Sequence, residues 1–189
     1  MPFEQCKHIK TVMSGFSKNW FFVGGWAIDL FLGKETRVHH DIEIGIFRED
    51  QIELKHFLSS WEFKKVVHRE FIPWYNEYLV LPVHEIHAIN KMDKHELEIL
   101  LNESDTVNWR FRRDLRILYP LKSVLKYSET GLPYLAPEIV LLFKVRNTRE
   151  KDHIDFLSVK DILHAKQKYW LREAIEMHEP KHEWLQLLG

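Results

Sequence analysis

Two short stretches near the N-terminus carry the residue types that could do chemistry. The first is Gly24-Gly25, set between the apolar run Trp20-Phe21-Phe22-Val23 and a second apolar run from Ala27 to Leu32. The pattern predicts strand, turn and helix. Glycine at such a turn lets backbone approach a ligand closely and leaves helix N–H groups free for an anion. The second is Asp41-Ile42-Glu43-Ile44. Its alternation predicts a strand over 39–46, which puts Asp41 and Glu43 on one face and turns Ile42, Ile44 and Ile46 toward a core. Two acids side by side repel each other unless a cation lies between them. Hard divalent ions such as Mg²⁺ take one or two carboxylates plus phosphate oxygens. Each stretch alone is ordinary, since most Gly-Gly turns are structural and most Asp-x-Glu strand edges face water. Together they are the equipment of nucleotidyl transfer.

Other charged residues have two readings each. Glu98 lies in the apolar run Leu97-Glu98-Ile99-Leu100-Leu101, where a carboxylate is costly unless paired, hydrogen-bonded or near a metal. Either Glu96 and Glu98 face water from an edge strand, or Glu98 joins Asp41 and Glu43. Lys144 and Arg146 are candidate phosphate ligands; Lys144 follows the apolar run 139–143 and needs a negative partner: a triphosphate, or an ion pair with Glu138 or Asp152. Arg37 could touch phosphate or pair with Asp41 or Glu43. Asp29 reads as a structural hydrogen-bond acceptor. Asp152 and Asp155 could bind a cationic acceptor, although acids favoured at a helix N-terminus are the commoner case. His84 and His87 would face opposite sides of a strand, which argues against zinc. Arg110, Arg112 and Arg113 form a small basic group that Asp105 and Asp114 offset, and Trp109 reads as core.

The elements that must position these residues follow from periodicity. Helices are predicted over 3–17, 25–32, 50–59, 137–143, 152–164 and 167–179, and strands over 20–23, 39–46, 62–68, 83–89 and 97–101. Shorter strands are expected at 109–113 and 115–118, and Pro73 and Pro82 break up 70–82. Pro137 suits the first position of its helix. Strands early and helices late predict an α+β core followed by a helical part.

The totals set bounds. The chain has 189 residues, of which 45% are hydrophobic and 29% charged, as in an ordinary soluble globular protein. A net charge of −1 gives no reason to expect nucleic acid as a partner. A single cysteine, Cys6, excludes an intrachain disulfide. With no signal-peptide pattern and no long apolar run, this leads us to expect a cytoplasmic protein without a membrane partner.

The run Gly24-Gly25-Trp26-Ala27-Ile28-Asp29, followed by Leu32-Gly33, Thr36-Arg37, His39 and Asp41-Ile42-Glu43, resembles the signature of aminoglycoside 2''-adenylyltransferase-like nucleotidyltransferases, in the DNA polymerase beta-like nucleotidyltransferase superfamily. Leu135-Ala136-Pro137-Glu138 through Phe143-Lys144, with Lys151-Asp152 and Asp155-Phe156, is similar to that family's C-terminal pattern. The resemblance implies a nucleotidyltransferase-type mixed sheet flanked by helices over 1–118 and a helical C-terminal domain over 119–189. It implies Mg²⁺-dependent transfer of AMP from ATP to a hydroxyl of a small, aminoglycoside-like acceptor. Asp41, Glu43 and Glu98 would hold two Mg²⁺ ions, and Glu98, with Glu96 as the alternative, would take the proton from the acceptor. The family usually has Asp at that third position. Gly24, Gly25, Arg37 and Lys144 would bind the nucleotide, and His39 would stand behind the acids. The sequence departs from the superfamily pattern at Gly25-Trp26, where Ser is common, and at His40, where relatives often carry another acid. Two rival readings are a noncatalytic nucleotide-binding module and a toxin–antitoxin-type enzyme that modifies protein or RNA.

Overall fold

A computed structural model describes residues 2–189. The chain opens with α1 (Glu4–Val12), β1 (Trp20–Phe22), α2 (Gly24–Leu32), β2 (Glu43–Phe47) and, after a single 3-10 turn, α3 (Gln51–Phe57). The strands β3 (Trp61–Val67), β4 (Glu70–Pro73), β5 (Glu85–Asn90) and β6 (Glu96–Ser104) follow. Next come β7 (Asn108–Arg110), β8 (Leu118–Pro120), α4 (Leu121–Val124), β9 (Leu125–Tyr127) and β10 (Pro133–Leu135). The chain ends in helices α5 (Pro137–Lys144), α6 (Glu150–Val159), α7 (Ala165–His178) and α8 (Trp184–Leu187).

The main sheet runs β4-β3-β5-β6-β2-β1-β10-β9, with β7 and β8 attached through β6. It is mixed: β2 is parallel to β6 and antiparallel to β1, and β10 is parallel to β1. β1 is central, so both faces are covered and Phe21 and Phe22 are fully buried, as a continuous apolar run predicts. Gly24 takes a left-handed φ of 59° and turns β1 directly into α2. Gly33, at φ 70°, ends α2 in the same way. α5 begins at Pro137 and buries Ile139, Val140, Leu141 and Leu142 against α2, α6 and α7. Each such side chain stabilises the fold by roughly 1.5–3 kcal/mol. α5 is therefore the pillar that joins the helices to the sheet.

Three expectations are corrected. β2 begins at Glu43, so Asp41 stands in a bend before the strand. The Asp41 carbonyl accepts the Trp26 indole N–H at 3.0 Å and takes no part in the ladder. The first helix ends at Val12, well before residue 17, because the chain turns through Met13–Gly15. The sheet does not end at residue 118: β9 and β10 follow it and pair beside β1. These three-residue strands are too short to show a period. We propose a division into sheet core and helical part near Pro137.

Candidate active site

The acids converge where β1, β2 and β6 meet the turn into α2. Glu43 opens β2, and its register partner across the parallel pair is Glu98 on β6. Parallel partners project from the same face, so one row of the sheet carries both carboxylates. Burial raises the Glu43 carboxyl, Lys144 opposes the rise and Asp41 adds to it. Burial, with Glu43, Glu85 and Asp41 nearby, pushes Glu98 up to about 8. Glu96 lies one residue pair further out, exposed at the strand start and in register with Ile89. Geometry therefore favours Glu98 over Glu96 as neighbour of the acid pair. Neighbouring carboxylates whose charges oppose one another are a ligand set suited to a hard divalent cation.

The glycines are tightly enclosed. A Cβ on Gly24 would collide with the Glu43 carboxylate, and one on Gly25 would collide with Arg37 and His39. No side chain caps the N-terminus of α2. Asp29, fully buried in α2, organises the following loop as the structural acceptor that its sequence predicts. It accepts from the Thr36 amide at 3.1 Å and the Thr36 hydroxyl at 2.5 Å, and pairs with His39 Nε2 at 2.7 Å. His39 stacks on Trp26 at 4.3 Å, and the Trp26 indole N–H in turn donates to the Asp41 carbonyl. Arg37 pairs with neither Asp41 nor Glu43. Its Nε is buried, has no hydrogen-bond partner and lies 3.7 Å from Asp155.

Lys144 ends α5 with its ammonium 2.8 Å from Asp152 and 2.9 Å from Asp155. Glu138, the other expected partner, is instead bonded to the Tyr119 hydroxyl and to Gln167. Burial pushes Asp152 upward, but hydrogen bonds from Arg149 and Lys144 win and hold it well below the usual carboxylate range. With Arg149 closing the capping box of α6, both aspartates are occupied by the protein's own cations and are not available to an acceptor.

Gly24, Gly25, Arg37, Asp41, Glu43, Glu98, Lys144 and Asp152 line one cleft of about 580 Å³. Its lining also holds Arg146, the phosphate-ligand candidate named beside Lys144, and four residues the sequence did not single out as ligands: Arg112 and Arg113 before β8, and Arg149 and Lys151 around the α5–α6 turn. Asp105 is paired with Arg110 and Asp114 with Arg116, so the expected offset of the basic group reaches neither Arg112 nor Arg113. These two lie 4.3 and 5.6 Å over the Phe143 ring. Burial and the adjacent Arg113 pull Arg112 down to about 9, the mark of a cation short of an anion. On the other side Glu85, also missed, sits 2.9 Å from His87 Nε2, and His87 is the β5 partner of Glu98. Glu85, His87 and Glu98 could together hold a cation. The i, i+2 spacing of Glu85 and His87 was the available signal. His84 turns away to the Pro82 carbonyl, as alternation predicts.

Residues 5–159 match the family described as aminoglycoside-2''-adenylyltransferase. The chain belongs to that family. It is a nucleotidyltransferase, as its sequence led us to expect. A lincosamide resistance protein from Staphylococcus haemolyticus is 28% identical over 161 residues, covering 82% of this chain and 92% of that one. Among solved structures, the lincosamide antibiotic adenylyltransferase LnuA with lincomycin bound superposes with a TM-score of 0.59 at 19% identity, over 86% of this chain and 99% of that one. ANT(2'')-Ia in complex with adenylyl-2''-tobramycin gives 0.61 at 13% identity, over 92% and 98%. The adenylyltransferase therefore shares the mixed-sheet fold of both. Among its described residues, no helix is long and apolar enough to cross a membrane.

Proposed function

We propose that this adenylyltransferase moves AMP from ATP to a hydroxyl of a small antibiotic-like molecule in a Mg²⁺-dependent reaction. The observation that carries the reading is the register of Glu43 beside Glu98 at the mouth of a cleft lined by seven Lys and Arg side chains. Asp41, Glu43 and Glu98 would hold two Mg²⁺ ions. Bound Mg²⁺ would neutralise phosphate charge and ease loss of the hydroxyl proton. Arg112, Arg113, Arg146, Arg149 and Lys151 would bind the triphosphate. Arg37 and the Gly24-Gly25 turn would orient the phosphates from below. Lys144 would serve the nucleotide mainly by locking α5 to α6. The acceptor oxygen attacks the α-phosphorus, its proton passes to Glu98, and the bond to the pyrophosphate oxygen breaks. Positioning and fixed charge supply most of the rate.

The relatives' lincomycin and tobramycin are the natural first acceptors to try. Wild-type protein with ATP and Mg²⁺ should release pyrophosphate with at least one member of a panel of hydroxylated antibiotics. ATP binding without release across the whole panel would instead indicate a noncatalytic binding module.

A further inference from the structure

Glu98 stands between two different sets of partners. Its register partner on β2 is Glu43, and its partner on the other side, across the antiparallel pair with β5, is His87. Directly opposed residues project from the same face of a sheet, so Glu43, Glu98 and His87 form one row across three strands. Strand alternation turns His84 away to the Pro82 carbonyl and puts Glu85, two residues before His87, on the side of the row.

The β5 end of the row has a chemistry that the Asp41–Glu43 end lacks. His87 Nε2 lies 2.9 Å from Glu85 Oε1 and 4.0 Å from Glu98 Oε1, so both carboxylates converge on one ring nitrogen. One ligand atom from each of the three residues lies within 4.8 Å of the other two. A tetrahedral ion with bonds of about 2.0–2.2 Å needs its ligand atoms about 3.4 Å apart, a value the two measured separations bracket. Phe71 of β4 stands edge-on to the imidazole at 4.7 Å and holds the ring in place. Among the described residues, neither Glu85 nor Glu98 forms an ion pair with a Lys or Arg. His87 and Glu98 line a second cavity of about 740 Å³, so an ion can reach them without crossing the cation-rich cleft.

Ligand chemistry decides which ion. Mg²⁺ takes carboxylate, phosphate and water oxygens, whereas imidazole suits transition ions. Zn²⁺ binds imidazole nitrogen and carboxylate oxygen together, and three protein ligands leave its fourth position to water. We propose that Glu85, His87 and Glu98 form a zinc-type site, distinct from the Mg²⁺ set, and that Glu98 is the ligand the two share. Zinc there would hold Glu98 toward β5 and oppose Mg²⁺ loading beside Asp41 and Glu43, a brake on transfer. The zinc site stands without the nucleotidyl-transfer reading; the brake rests on it.

Calorimetry with Zn²⁺ on nucleotide-free, Mg²⁺-free protein should find one tight ion per chain. His87→Gln and Glu85→Gln should each weaken it by about a hundredfold. Asp41→Asn should leave it within about threefold, as should His56→Gln, the control for exposed histidines on the surface. Co²⁺ in place of Zn²⁺ should give the visible bands of a four-coordinate ion in wild type, and His87→Gln should lose them. In a separate titration, one equivalent of Zn²⁺ should weaken a nonhydrolysable ATP analogue with Mg²⁺ by about tenfold in wild type and not in His87→Gln. The site is overturned if wild type takes up no zinc or if His87→Gln and Glu85→Gln keep wild-type affinity. It is also overturned if Asp41→Asn weakens zinc as much as they do, which would put the ion in the Mg²⁺ set. Unchanged analogue binding on zinc loading would overturn the shared role of Glu98. Wild type that binds zinc but not the analogue would remove the nucleotidyl-transfer reading, and the brake with it, and leave the zinc site standing.

Discussion

Two groups of carboxylates at and beside one cleft behave in opposite ways. Asp152 and Asp155 are buried, with side chains 3% and 2% exposed, and are gripped by Lys144, Arg149 and Arg37. Glu43 and Glu98 are raised, and their neighbours include other acids. An acid whose charge the protein already satisfies ties elements together. An acid whose charge the protein leaves opposed is poised for a cation from outside. The comparison also separates two families of cation. Lys144 belongs to the tie, while Arg112 and Arg113, lying on Phe143, face the cleft without an ion pair to any carboxylate among the described residues.

The largest expected effect falls on the opposed group. Asp41→Asn should lower pyrophosphate release by about a thousandfold or more, because an amide is a poor ligand for a hard cation. Its metal-free thermal midpoint should match or exceed wild type, since one charge leaves a repelling set. A variant with wild-type turnover on a confirmed acceptor would erase the distinction between the groups.

The tie should respond in reverse. Lys144→Ala leaves two buried aspartates short of a partner, and urea unfolding should show a loss of about 3 kcal/mol, within the range for breaking a buried pair. A loss below 1 kcal/mol would show that Arg149 and Arg37 satisfy the aspartates without it.

Arg112→Gln should weaken ATP–Mg²⁺ by about tenfold and AMP by about twofold or less, as expected for a lost charge-assisted bond to the terminal phosphates. Equal changes for both nucleotides would move Arg112 away from the β- and γ-phosphates.

The smallest effect is a pH dependence. Between about 4.5 and 8 the folded protein keeps a proton on Glu98 that the unfolded chain has released. The stability this contributes is present in mild acid and is lost as pH rises through that window. Asp152 works the other way: its stability is present at neutral pH and lost as pH falls through and below the usual carboxylate range. Burial lowers His84, His178 and His182, which favours folding as pH rises, in wild type and variant alike. The difference in thermal midpoint between wild type and Glu98→Gln isolates the glutamate. The variant should gain about 2–4 °C on wild type between pH 5 and 8 without metal, and less with Mg²⁺ present. A constant difference across that range would mean that Glu98 titrates normally.

What the sequence made legible was local. The turn at Gly24-Gly25, the alternation around Glu43 and the buried α5 each announce themselves within about a dozen residues, where periodicity and turn chemistry act. Glu98 was legible because an acid inside an apolar run is conspicuous. Arg112 and Arg113 were not, because Asp105 and Asp114 lie near them in the chain but pair elsewhere in space. Glu85 was hidden in a weakly alternating strand, and its neighbour Glu98 is brought alongside only by the sheet. β9 and β10 were missed because three residues carry no period.

The parallel pairing of β2 with β6 has a consequence for how the protein assembles. Parallel neighbours cannot be joined by a tight hairpin, and here α3, β3, β4 and β5 intervene. Glu43 and Glu98 therefore meet only through a long-range closure, whose loop entropy must be met before the contact stabilises the fold. The entropy of closing that loop grows only slowly with its length. The β3–β4 hairpin at the sheet's edge can accordingly lengthen or shorten with little effect on the register of the acids. The reacting centre and the segment that walls one side of it are thus free to evolve at different speeds.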